Sequence, residues 1–134
     1  MSPAPATKPR LKWPWIVAGF AVCFFFGGAF LWKGTYDDYL HAGFHWEIIP
    51  VQMAVALLST WSMGLGIVVA TVTVGMAFPA AIMARVVIDC LDDPSHHNLW
   101  PFELVLAVAF GIVMSFSGAA SGRLLRWATH RNRA

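Results

Sequence analysis

From Ile48 to Ala84 the chain carries no Asp, Glu, Lys, Arg or His. That absence excludes a water-soluble domain: 134 residues cannot build a core that hides such a run, and one bilayer crossing takes only about 20 apolar residues. Two further stretches, Trp13 to Trp32 and Leu104 to Gly122, are equally free of charge. Ion-coupled transporters and proton pumps keep ionisable groups at membrane depth, where their cost marks them as functional. None of the three stretches holds one, so an exporter built on a buried carboxylate is a poor match. A haem held between facing helices would lack its histidines for the same reason.

Cysteine is scarce as well. Cys23 falls in the middle of the first apolar stretch and Cys90 near a polar connection. They sit at different depths, so no disulfide framework and no redox role follows. A phosphate-cradling glycine loop is missing, because Gly64-x-Gly66 lies in an apolar run and reads as a turn. Ser95 beside His96 is a sequence neighbour pair, which says nothing about a triad whose members meet in space. No repeat of solenoid length is visible. An enzyme is not the expectation.

What is present is the composition of a single membrane domain, 58% hydrophobic and 12% charged, where soluble domains carry roughly 25% charged residues. Of the nine Lys and Arg residues, only Lys33 and Arg85 lie away from the ends; the others are Lys8, Arg10, Lys12, Arg123, Arg126, Arg131 and Arg133. All seven acids, Asp37, Asp38, Glu47, Asp89, Asp92, Asp93 and Glu103, lie between the first and last apolar spans. Basic ends without a folded soluble module point to membrane orientation rather than nucleic-acid binding.

As one straight helix, Ile48 to Ala84 would reach about 55 Å at 1.5 Å per residue, far beyond a hydrocarbon core of about 30 Å. It must break. Ser59-Thr60-Trp61-Ser62-Met63-Gly64-Leu65-Gly66 combines a polar cluster, an interfacial Trp and two glycines, so a turn at Gly64 and Gly66 is expected there. The competing break, Gly75 to Pro79, would give one long span followed by an interfacial amphipathic helix, and three spans in all. Basic residues collect on the cytoplasmic side, and both ends are basic, so an even number of crossings is expected.

The fold class read from the sequence is therefore an all-α integral membrane protein, a small bundle of four transmembrane helices. A basic tail, 1–12, precedes a single transmembrane domain, 13–125, with spans at about 14–32, 48–62, 65–88 and 102–125. A second basic tail, 126–134, follows, and both tails are expected in the cytoplasm of a bacterial cell. Cleavage of the first span after Ala29 as a signal peptide is opposed by the bulky Phe24-Phe25-Phe26 and by the apolar run continuing through Trp32. Retention is expected. Pro79 fits within the third span as a kink.

Two faces of small side chains stand out. Gly19, Cys23 and Gly27 recur every four residues in the first span, and Gly111, Ser115, Gly118 and Gly122 line the last. Small residues let helix backbones approach closely in a bilayer. The leading functional expectation is a non-catalytic structural or accessory subunit that packs with partner transmembrane helices, as a homo-oligomer or within a larger membrane complex.

The alternative is metal-ion or small-solute handling at two polar connections that four spans place on one extracytoplasmic face. Their ligand set is His41, His45, His96 and His97 with Asp37 and Asp93, and imidazole with carboxylate suits a divalent transition metal. His41 and His45 are spaced i, i+4, so in a helical segment both would face one ion. This alternative predicts that purified protein retains near-stoichiometric metal, measured by elemental analysis. Affinity should fall as pH drops through about 6.5, where unperturbed imidazole protonates and ceases to ligate. His41→Ala and His45→Ala should each weaken it, with His130→Ala as the silent control.

Overall fold

The computed structural model describes residues 12–33, 46–92 and 99–131. Among them every regular element is an α-helix: α1, Trp13–Leu31; α2, Ile48–Trp61; α3, Ile67–Gly75; α4, Ala77–Asp92; and α5, Trp100–Arg131. Three helical stretches are long and apolar enough to cross a membrane, namely α1, α3 continued into α4, and α5. The fourth, α2, is apolar but has only 14 residues.

Local chemistry accounts for the helix limits. Pro14 lies in the first turn of α1, where its missing amide hydrogen would have no partner anyway. Glu103 stands in the first turn of α5, and His130 and Arg131 in its last; both placements complement the helix dipole. The long uncharged run breaks twice. At Ser62–Gly66 the chain reverses, with Gly64 at a φ of 62°, a left-handed conformation that glycine alone adopts without strain. Gly66 is extended, at φ −64° and ψ 146°, and needs no glycine for that shape. The second break, at Met76, separates α3 from α4 one turn before Pro79. Pro79 has no amide hydrogen for the Gly75 carbonyl and its ring would crowd that oxygen, so the helix kinks there and continues.

The helices pair so that α1 and α5 sit diagonally across the bundle, each against α2 and the kinked α3–α4 stretch, and α2 packs most extensively on α5. Gly118 of α5 lies against Met53 of α2, and Gly122 lies against Leu57 and Thr60. Both partners advance together, so α2 and α5 run parallel. The Lys12 ammonium donates to the Gly64 carbonyl at 2.8 Å, and the Arg126 guanidinium packs against the same glycine. The start of α1, the last turns of α5 and the α2–α3 reversal therefore meet at one end of the bundle.

The distribution of side chains is the reverse of a soluble core. The largest side chains that are wholly buried are only Leu31, Val74, Thr60, Pro79 and Ser115. Outside lie Val17, Val22, Phe25, Val68, Val72, Val105, Phe110, Val113 and Phe116, large apolar groups suited to lipid. All seven Trp residues are 38% or more exposed, and they fall at two levels. Trp13, Trp15, Trp61 and Trp127 mark the basic end; Trp32, Trp46 and Trp100 mark the other. Along α1, Trp15 and Trp32 stand about 26 Å apart at 1.5 Å per residue, close to a hydrocarbon thickness, as aromatic belts do.

Candidate functional site

The seven small residues singled out in the sequence all face helices of the same chain, Cys23 in a core cluster with Ala56. Gly19 meets Val55 and Ser59 of α2, while Gly27 meets Phe78 and Ala81 of α4. On α5, Gly111, Ser115, Gly118 and Gly122 are buried together with Ala107 and Ala119. They form one seam. A side chain at Gly118 would run into the Met53 backbone, and one at Gly122 into the Leu57 carbonyl and the Thr60 hydroxyl. A methyl built on Gly75 would lie 3.0 Å from the Gly111 carbonyl oxygen, and one built on Gly111 would run into the Gly75 carbonyl oxygen. The carbonyl that Pro79 leaves without a helical partner thus rests against the bare Cα of Gly111, a close Cα–H···O approach of the kind that recurs between helices.

Two polar side chains of α2 stitch this seam. Gln52 is 4% exposed, and its amide donates to the Val74 carbonyl at 3.1 Å and to the Gly111 carbonyl at 3.4 Å. It ties α2 to α3 and α5 at once. The Thr60 hydroxyl, within reach of its own helix at Leu57, also lies 3.0 Å from the Ala119 carbonyl of α5. Between these clamps Thr71 of α3 and Ser115 of α5 are buried, and neither hydroxyl oxygen has a hydrogen-bond partner among the described residues. Each unmet hydroxyl costs about 1–3 kcal/mol, more than the roughly 0.6 kcal/mol of an average interhelical hydrogen bond in a membrane. Close packing, not hydrogen bonding, is the larger stabilising term.

Gln52 was not singled out from the sequence, and Thr60 only as part of the polar cluster at the expected turn. Gln52 is the only Gln in the chain and stands inside the charge-free run, which was the available signal. The candidate metal ligands His41, His45, His96, His97, Asp37 and Asp93 lie outside the described residues. Among the described residues no group of three or more His, Cys, Asp or Glu side chains could hold a metal. Arg85 and Asp89, spaced i, i+4 on α4, form an ion pair at 3.1 Å. They stand in the second half of α4, beyond the uncharged run. At mid-bundle a crevice between Cys23, Phe26, Ile48, Val51, Gln52 and Phe78 has no room for a water molecule.

The seam makes a graded expectation. Gly118→Ala and Gly122→Ala should each lower stability by about 1–3 kcal/mol, because a single methyl meets backbone that cannot retreat. Val113→Leu, on the exposed face of the same helix, should stay within about 0.5 kcal/mol. Unfolding in mixed micelles by circular dichroism reads the difference, and equal stability of all three variants would remove the seam as the main packing contact. Compared with known proteins, the chain matches no family model, no curated protein and no solved structure.

Proposed function

We propose that this chain is a four-span integral membrane protein with both ends in the cytoplasm, and that it serves as a non-catalytic accessory subunit packing against partner transmembrane helices. The convergence of Lys12, Gly64 and Arg126 at one basic end supports an even number of crossings, since α1 leaves from that end and α5 returns to it. The excess of Lys and Arg there supports the cytoplasmic side.

The observation that carries the partner reading is the length of α2. Its 14 residues rise about 21 Å, well short of the hydrocarbon core, and a short span relieves that mismatch by thinning the bilayer or by associating with other helices. The strip of α2 left exposed within the chain is Pro50, Ala54, Leu58 and Trp61. Small residues beside a Leu and a Trp suit close contact with a neighbouring helix. The partner is a second copy of this chain or another subunit of a membrane complex. With the small-residue seams taken up inside the bundle and the mid-bundle crevice closed to water, the outer surface is where the protein meets others.

A second reading keeps metal or solute handling at His41, His45, His96 and His97. It is favoured by one geometric point: Leu31, Ile48, Val86 and Ala107, all near the helix ends that flank residues 34–45 and 93–98, belong to one core cluster.

Reporters after residue 134 and near Gly43 and Ser95 should place the tail inside the cell and both insertions outside; Ser95 on the same side as the tail would replace four spans by three. In mild detergent the protein should run as a homo-oligomer or with a stoichiometric partner. Ala54→Trp should break that association, while Val68→Trp, at a position 74% exposed, should not. A monomer without partners, or a complex indifferent to Ala54→Trp, would overturn the accessory-subunit reading.

A further inference from the structure

Arg123 is the first charged residue after the apolar stretch of α5, so it stands where hydrocarbon gives way to headgroups. Two clefts open around the helical turn that follows. One, of about 450 Å³, is lined by Arg123, Arg126, Trp127 and His130. The other, of about 330 Å³, lies between Trp61, Ser62, Arg126, Thr129 and His130. Arg126 and His130 form the wall between them.

Several donors at this end are already engaged. The Lys12 ammonium is bonded to the Gly64 carbonyl, the Ser62 hydroxyl to the Leu58 carbonyl at 2.7 Å, and the Thr129 hydroxyl to the Arg126 carbonyl at 2.9 Å. The Arg131 guanidinium stacks 5.4 Å over the Trp127 ring. The guanidinium groups of Arg123 and Arg126 remain. Arg126 Nη1 is buried without a hydrogen-bond partner among the described residues, and no described carboxylate forms an ion pair with either arginine. Glu47 and Glu103 flank helix starts at the opposite end, and Asp89 is paired with Arg85. Among the described residues none supplies an anion to this site.

We propose that the clefts around Arg126 bind the phosphate of an anionic phospholipid headgroup. This rests on the four-span reading only for which leaflet supplies the lipid. Two guanidinium forks match the oxygens of a phosphodiester; the larger cleft runs along α5 and the smaller lies between the end of α2 and α5, where a basic pocket between helices suits an anionic headgroup. The walls select an amphiphile over a soluble anion. Trp61 and Trp127 are 42% and 62% exposed, and the same turn of α5 presents Leu124 and Leu125 at 66% and 47%, so apolar surface for acyl chains adjoins the charged cleft.

The test uses the full chain in neutral detergent with an equimolar mixture of phosphatidylglycerol and phosphatidylcholine, the bound lipid being counted by native mass spectrometry. Phosphatidylglycerol should be preferred by about 25-fold. Each arginine removed should lower the preference by about fivefold, so R123Q/R126Q brings it close to parity. Lys33→Gln, an exposed position at the other end, should leave it intact. Because Arg126 packs on the Gly64 turn, R123Q alone is the variant that separates lost binding from a loosened fold, and it should show the fivefold drop. Equal binding of the two lipids by the unaltered chain, or a full preference in R123Q/R126Q, would overturn the proposal. Displacement of phosphatidylglycerol by an equal concentration of inorganic phosphate would also overturn it, making the site one for the free anion. The preference is read in detergent, so a reporter result that reverses the topology leaves this measurement standing on its own.

Discussion

Helices in a bilayer gain nothing by hiding apolar surface from one another, because lipid tails are as apolar as leucine; they associate when their backbones can come close. The parallel contact of α5 on α2 meets that condition. Gly118 and Gly122 bring the α5 backbone against the Met53 and Leu57 carbonyls, and Gly111 does the same for the kinked α3–α4 stretch at Gly75. The remaining placements follow. Many bulky Phe and Val side chains are turned outward because the seam has no room for them, and the α5 side of the seam is left to Ala, Gly and Ser.

That constraint explains the position of the few buried polar groups. Gln52 in a hydrocarbon environment is tolerable only where its amide reaches carbonyls, and the close approach puts those of Val74 and Gly111 within 3.1 and 3.4 Å. The Gly111 carbonyl is exposed to it because Gly75 and Gly111 carry no side chains to cover it. Proline adds its part, since the unbonded carbonyl one turn before Pro79 lies against Gly111. A glycine pair, a proline and a glutamine from four helices thus depend on one another.

Much of this was legible in the sequence. The three charge-free stretches, the turn near Gly64 and the small-residue faces of the first and last spans follow from composition and spacing. What those faces touch could not be read. A stripe of glycines states that a backbone comes close without stating which one, and here the neighbours are α2, α4 and the kink at Met76. The two candidate breaks in the long run appeared as alternatives, yet both exist for different reasons: Gly64 turns the chain with a positive φ, whereas Pro79 only bends it. The convergence of Lys12 and Arg126 on Gly64 was hidden because it joins residues from both ends of the chain to its middle. The histidine and aspartate candidates lie outside the described residues, and the chemistry of those connections rests on sequence alone.

The diagonal arrangement of α1 and α5 bears on the order in which the bundle assembles. Helix α2 rests chiefly on α5, which leaves the ribosome well after it, so α2 is made before its main neighbour exists. The neighbours of α2 that lie nearer in sequence are α1, through the bare surface of Gly19 beside Val55 and Ser59, and α3 across the reversal. The seam that α5 lays along α2 is thus a contact that only the finished chain can make.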